Sequence, residues 1–347
     1  MYSYDGIKRV YARLGDDVSK SIFWKRLEYS LSGRKDAISE MVDREIFRYA
    51  SKDQMFRLLL WLSKRTGKVT LFGAGFAGWQ ICSVLLRHNI QVHSIADNNR
   101  LLWESFRQGI KVIPPNQIEE GSIVVIGVNS HVAEILEQLL ALGISKNDIF
   151  IPSGPWWMGD SPQYFDSEIM RPCADEVFID GGSLDGGDCI NFMKWCKGSY
   201  KAIYAFEPDA ENCKKLRKTV AGYRGVTVLE EGLWSEEREL HFTAGYSENC
   251  AISDQGKSVI RVTSIDKRFE RDKVTLIKLD IEGSEMDALI GAADVIKRCR
   301  PRLAVCVYHK PEDILNIPQK IMELNPDYTL YIRHYSYVET ETVVYAV

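Results

Sequence analysis

Two rhythms of apolar and polar positions divide the chain. From residue 1 to about residue 68 apolar positions recur at helical spacing, as at Ile38, Val42 and Ile46, with charges between them, and predict a helical lead-in. At Val69 the rhythm changes. "VTLF" reads as a short buried strand, "GAGFAG" as a turn, "WQICSVLLRHN" as a helix and "IQVHSIAD" as a second strand. Further strand-like runs follow at "KVI", "SIVVIGVN" and "DIFIPS", with the helix "HVAEILEQLLALG" between the last two. Strands alternating with helices predict a parallel sheet covered on both faces.

After Ser153 the stretch "GPWWMGDSPQYFDSEIMRPCA" is rich in Pro, Gly and aromatics without a period, and reads as a packed linker. The alternation then restarts with "EVFIDGG", "YKAIYAFEP", "VTVLEEGLW", "VTLIKLDIEG" and "RLAVCVYHK". Two closely spaced runs, "YTLYIRHYS" and "ETVVYAV", predict a terminal hairpin. The fold class is therefore α/β, with two doubly wound, Rossmann-like domains after a helical amino-terminal segment. The boundaries expected are a lead-in over 1–68, a small nucleotide-type domain over 69–154, a linker over 155–174 and a second domain over 175–347. A chain of 347 residues also exceeds what one core comfortably supports.

Composition narrows the function classes. A net charge of −4, with no Lys/Arg tract interleaved with aromatics, argues against a nucleic-acid partner. Residues 1–67 hold a local excess of 14 Lys/Arg over 9 Asp/Glu, which reads as a solvated helix face. Eight cysteines without a C-x-x-C pair or regular spacing read as reduced thiols and point to a cytoplasmic protein. No run reaches the roughly 18 apolar residues of a transmembrane helix, and the amino terminus lacks an apolar leader, so a soluble protein is expected. A homo-oligomer is compatible with all of this.

Two glycine loops suggest different ligands. "GAGFAG" offers Gly73, Gly75 and Gly78 between a strand and a helix, and Asp97 ends the next strand, as in a nucleotide fingerprint. The glycines would let backbone amides approach a phosphate, and Asp97 would accept from ribose hydroxyls. Only about eighty residues are available, too few for two mononucleotide halves, which disfavours NAD. The pattern resembles the small Rossmann-like amino-terminal domains of bacterial sugar acyltransferases, whose ligand is a nucleotide sugar. A nucleotide-type ligand and an empty scaffold or dimerisation module both remain open.

The second loop, "FIDGGSLDGGDCINF", opens on an acid, Asp180, and continues through Gly182 and Gly186. A carboxylate where a pyrophosphate would lie favours a cationic or neutral polar ligand, and S-adenosylmethionine meets that description. Glu207 in "AFEPD" is placed to accept both ribose hydroxyls, and Gly232, Leu233 and Trp234 offer a wall for an adenine. In order along the chain, "FIDGGSLDGGD", "YAFEPD", "SIDKRF", "IKLDIEGSE", "YHKPED" and the closing "RHYS" and "ETVVYA" resemble the FkbM-type S-adenosylmethionine-dependent methyltransferases over residues 175–347. The resemblance implies a seven-stranded class I sheet with an antiparallel last strand, and O-methylation of sugars or of polyketide- and peptide-derived metabolites. "GSLDGGD" departs from the "GANIG"-like loops usual in that family, so no ligand role passes to Asp185 or Asp188.

Methyl transfer to a hydroxyl needs alignment and a base. Asp280 closes a strand beside the expected sulfonium and could orient cofactor or acceptor; Glu282 could be the base or bind a sugar hydroxyl; Glu285 could simply favour the start of the next helix. His309, at the next strand end, is the rival base because a histidine titrates near neutrality. Asp280, Glu282 and Asp266 could converge on a cation, but their spacing does not demand one and no metal is assigned. Lys278, inside a strand, needs its charge paired or its stem snorkelled. The reading is an O-methyltransferase acting on a sugar, nucleotide sugar or glycan acceptor. A non-catalytic cofactor-binding scaffold or sensor, and a bifunctional enzyme with a nucleotide-dependent first domain, are the alternatives.

Overall fold

The computed structural model describes residues 3–34, 37–38, 40–41, 54–154, 156, 162–243, 251–252 and 258–347; Val42, Ile46, Cys250 and part of the linker lie outside the described residues. The chain divides into two compact units, one of Ser32–Ser161 with His334–Thr340, the other of Met1–Leu31, Pro162–Arg333 and Glu341–Val347. The lead-in of residues 1–68 is thus shared between them.

The inserted unit carries β1 (Val69–Phe72), β2 (Val92–Ala96), β3 (Phe106–Arg107), β4 (Ile110–Ile113), β5 (Ile123–Ile126) and β6 (Ile149–Phe150), in the order β3-β4-β2-β1-β5-β6. Every pairing is parallel except the short β3 with β4. The strands β1 and β5 are buried along their whole length, as expected of central parallel strands read from unbroken apolar runs. Phe72, Val124, Ile126 and Ile149 form a core closed by Ile135 and Leu139 of the helix Val132–Ala141. Trp156, 1% exposed, donates its indole N–H to the carbonyl of Ile126 at 2.9 Å, so the start of the aromatic linker belongs to this core.

In the other unit β7 (Glu176–Gly181), β8 (Tyr200–Phe206), β9 (Val226–Leu229), β14 (Leu276–Leu279), β15 (Arg302–Cys306), β16 (Leu330–His334) and β17 (Thr342–Ala346) form a seven-stranded sheet ordered β16-β17-β15-β14-β7-β8-β9. β17 runs antiparallel to β15, while β15, β14, β7, β8 and β9 pair in parallel. This is the sheet that the resemblance implied. A second sheet, of β10 (Gly232–Leu233), β11 (Arg238–Thr243), β12 (Ala251–Ile252) and β13 (Ser258–Thr263), was not foreseen. Its register leaves Val259 exposed beside buried Ile260 and Val262, and with so few apolar positions it gives little periodic signal. The run read as one strand, "VTVLEEGLW", is split between the two sheets.

The first thirty residues close this unit. Ser3 caps the helix Tyr4–Arg13 by accepting from the Gly6 amide at 3.0 Å. Gly6 allows close approach to the helix Asp313–Leu324, where a Cβ would come within 2.1 Å of Gln319 Nε2. Leu14 bridges to Leu330, and Asp16 and Ser19 bind the buried Arg333.

Candidate functional site

The strand β7 lies between β8 and β14, the point where successive connections leave the sheet in opposite directions and where such sheets bind ligands. The parallel register sets Asp180 opposite Lys278 and Gly181 opposite Leu279. Asp280 is the first residue beyond β14 and its amide donates to the Gly181 carbonyl at 3.1 Å. Gly182, at φ +78°, permits this junction, because a Cβ there would sit 1.9 Å from the carbonyl oxygen of Asp280.

Lys278 is 1% exposed and its Nζ is saturated. It lies 3.1 Å from Asp180 Oδ1 and 3.0 Å from Asp188 Oδ2, and donates to the Gly182 carbonyl at 2.7 Å. The Tyr164 ring lies over it, 5.1 Å from the ammonium. Burial would depress the lysine, but Asp180, Asp188 and Asp280 hold it well above its ordinary value. Asp188 is lifted to about 6, chiefly by burial. Asp180 thus spends at least one oxygen on a lysine inside the protein, and Asp188, given no ligand role from the sequence, is the other half of that neutralisation.

Around Asp280 the sequence-predicted acids and histidine do come together. Asp280 accepts from Tyr164 Oη at 2.7 Å and from Tyr308 Oη at 3.2 Å. His309 Nε2 lies 3.5 Å from Asp280 Oδ1 and 3.4 Å from Glu282 Oε2, and Nδ1 lies 2.9 Å from Glu285 Oε1. Glu285 is buried rather than exposed at its helix start, and Oε1 also takes the amides of Ile281 and Gly283. Burial pushes the Asp280 carboxyl up, but Lys278, His309 and Tyr164 outweigh it and leave the carboxyl below its ordinary value. Burial likewise works against a proton on His309, yet Glu285, Asp280 and Glu282 together raise it to about 9. Without a ligand these carboxylates favour the protonated imidazole at neutral pH.

Sequence reasoning missed Tyr164, Gln163, Tyr308 and Glu341. Gln163 Nε2 lies 2.9 Å from Tyr164 Oη and 2.5 Å from Glu341 Oε2, and Tyr308 Oη lies 3.4 Å from Glu341 Oε1. The available signal was the aromatic content of the linker, which was read only as packing. Asp266 is far from this cluster in role: its carboxylate takes the Asp294 and Val295 amides and starts the helix Ala293–Cys299.

On the β8 side Glu207 is 5% exposed and each of its oxygens already takes one amide, of Leu184 and of Asp209, both at 2.9 Å. Burial raises its carboxyl, and each oxygen keeps capacity for a further hydrogen bond. Gly186, at φ +89°, starts the helix Gly187–Trp195. Leu233 is buried, and Trp234 packs on the small cluster of Ile260 and Val262 just beyond Gly232. In the inserted unit Asp97 uses both oxygens within its own loops, accepting from the Ala74 and Asn99 amides at 2.7 Å. Gly78 meets Gly73, whose carbonyl would stand 1.9 Å from a Cβ, while Gly75 faces open space at the start of the helix Phe76–Arg87.

Comparison with known proteins agrees with this architecture. Residues 180–338 match the family model described as the methyltransferase FkbM domain, and residues 65–150 match one described as C2185-like, N-terminal. No curated protein matches the sequence. A methyltransferase FkbM from Methylobacillus flagellatus superposes with a TM-score of 0.50 at 18% identity, over 88% of this chain and 99% of that one. An rRNA methylase from Streptococcus thermophilus gives 0.34 at 15% identity, over 52% of this chain and 90% of its own. Aeropyrum pernix fibrillarin, solved with bound S-adenosyl-L-methionine, gives 0.32 at 13%, over 50% and 66%. Family model, seven-stranded order and antiparallel β17 agree: residues 180–338 of this chain match an FkbM methyltransferase domain in sequence and in fold.

Proposed function

We propose that the chain is an S-adenosylmethionine-dependent O-methyltransferase acting on a hydroxyl of a sugar, nucleotide sugar or glycan. The observation that carries this reading is the acid-rich carboxyl edge of the sheet, where the buried Lys278 is already consumed by Asp180 and Asp188. Asp280, Glu282 and Glu207 suit a ligand bearing a sulfonium, an ammonium and ribose hydroxyls, and do not suit a phosphate. Gly182, Gly186, Glu207 and the Gly232–Leu233–Trp234 stretch would hold the cofactor, which supplies a methyl group on a positively charged sulfur. Tyr164, Tyr308, Gln163 and Glu341, gathered round Asp280, provide the dense hydrogen bonding that a polyhydroxyl acceptor needs.

In the transfer the acceptor oxygen forms the new O–CH3 bond as the S–CH3 bond breaks, the electron pair stays on sulfur, and the hydroxyl proton leaves to a base. Glu282, 35% exposed at its side chain, is the ready carboxylate; His309 begins protonated and holds Asp280 and Glu282 in place. The inserted unit is read as a scaffold, with Asp97 holding the Ala74 and Asn99 amides of its own loops; since each oxygen keeps capacity for a further hydrogen bond, a nucleotide-type ligand there is the alternative. A cytoplasmic location fits the free thiols of the described cysteines, and no helix among the described residues is long and apolar enough to cross a membrane.

Incubation with methyl-labelled cofactor and a panel of nucleotide sugars and glycans tests the assignment. Label in a base-stable ether on one acceptor class is the expected result. Tight cofactor binding with no transfer to any hydroxyl acceptor would favour the non-catalytic reading. On an active acceptor, Glu282→Gln should lower the single-turnover rate by about 10²–10⁴-fold, the usual contribution of a positioned base.

A further inference from the structure

A second feature of the same edge is left over from this chemistry. Asp280, Glu285 and His309 each offer an oxygen or nitrogen, and the three atoms lie within 4.8 Å of one another. They come from three separate places at the sheet edge: the residue after β14, the first residue of the helix Glu285–Ile290, and the segment after β15. Glu285 is fully buried, and while its Oε1 takes two backbone amides, its Oε2 makes no hydrogen bond. His309 is 10% exposed at its side chain, and neither ring nitrogen makes an aligned hydrogen bond although carboxylate oxygens stand 2.9–3.5 Å away. Short distances without a directed N–H are what donors grouped about a common centre show, and a buried carboxylate oxygen is costly to leave without a hydrogen-bond donor or cation. Lys278 does not do so, being held by Asp180 and Asp188.

We infer that Asp280, Glu285 and His309 form a binding site for one divalent first-row metal ion. Two carboxylates and an imidazole suit an ion such as Mn²⁺ or Zn²⁺ better than Ca²⁺, which prefers an all-oxygen shell. Three protein ligands leave coordination positions open, as in catalytic and not in structural sites. Glu282, 3.4 Å from His309 Nε2, stands at the rim, where it can bond a water or an acceptor on the ion. With the ion bound, His309 is neutral and the ion takes over the balancing of the carboxylates. On the methyltransferase reading, the ion would polarise the acceptor hydroxyl and make its proton easier to remove. The site itself stands on the side-chain geometry and does not need that reading.

The experiment is a titration of the full chain, stripped with chelator, with Mn²⁺ alone. Free ion is followed by electron paramagnetic resonance and heat by calorimetry, with no cofactor or acceptor present. One saturable site per chain is expected, weakened by about 10-fold or more in Asp280→Asn and in Glu285→Gln. Circular dichroism and thermal melting establish that each variant is folded. If Glu285→Gln does not fold, Asp280→Asn, at the more open end of the cluster, decides alone. Absence of a saturable site in the folded wild type would overturn the inference, as would affinity unchanged in a folded variant, which would assign the ion to surface acids. Because binding is measured without turnover, a chain that binds Mn²⁺ and methylates nothing would sink the proposed activity and leave the site standing.

Discussion

Lys278 shows how far a single position can be read without a structure. A lysine within "IKLD" must have its charge met, but which acids meet it depends on the register of β14 against β7 and on the turn of the helix Gly187–Trp195, neither of which is visible in one strand's pattern. Lys278→Met should leave Asp180 and Asp188 uncompensated and cost about 3–5 kcal/mol, read by urea denaturation, and adding Asp180→Asn should recover part of the loss. Glu207 was legible from its strand end, but the two amides it already holds were not. Glu207→Ala should weaken S-adenosylmethionine by about 1.5–3 kcal/mol in calorimetry, the scale of hydrogen bonds to a charged group. Glu207→Gln, which keeps one acceptor, should lose less. That His309 is surrounded by three carboxylates, which favour its proton, was not legible, because they are separated from it in sequence by strand and turn.

Among elements, those with strong periodicity were legible and those set by tertiary contact were not. β1 and β5 stand as apolar runs in the sequence, β7 and β14 as apolar runs interrupted by Glu176, Asp180 and Lys278, and all four are buried throughout. In the small sheet β11 and β13 carry exposed positions such as Glu239 and Val259, and Tyr164 lies in a stretch without a period, so local pattern carried no sign of either. A helical lead-in was expected, but the attachment of Asp16 and Ser19, at the start of the helix Asp17–Ser32, to β16 was not. Asp16 there is partly desolvated, which raises its carboxyl, yet the hydrogen bonds from Arg333 and Ser19 outweigh this and hold it below the ordinary carboxylate value. A folded pKa below the unfolded one means the unfolded chain binds more protons in between, so this stabilisation is present above about pH 4 and fades as pH falls through the folded value. Thermal melts should accordingly show wild type above Asp16→Asn at pH 7, with the gap closing in stronger acid.

For the whole molecule, the unit that carries the methyltransferase domain is discontinuous: Met1–Leu31 belongs with Pro162–Arg333 and Glu341–Val347. Residues 175–347, the span that the motifs cover, therefore lack the helix Tyr4–Arg13, the Leu14–Leu330 bridge, the Asp16–Arg333 pair and the Tyr164 hydroxyl on Asp280. A fragment of 175–347 should melt well below the full chain and bind a hydrophobic dye, and supplying residues 3–31 and 162–174 by fusion should raise its melting temperature. Equal stability of the short fragment would show that the flanking segments add nothing. Motifs mark where the chemistry sits; they do not mark which distant segments complete the body around it.

The Leu14–Leu330 bridge also sets a clock. A ribosome adding about 5–20 residues per second delivers Leu330 roughly 15–60 s after Leu14. Throughout that interval the helices Tyr4–Arg13 and Asp17–Ser32, with Ile22, Phe23 and Leu27 that are buried in the finished protein, have left the ribosome while β16, to which Leu14, Asp16 and Ser19 attach, does not yet exist. The inserted sheet, whose strands all lie between Val69 and Phe150, can form in the meantime. Birth of this protein is thus a matter of an early, greasy segment kept waiting for its own tail, and its yield in a cell should depend on whatever shields that segment until the tail arrives.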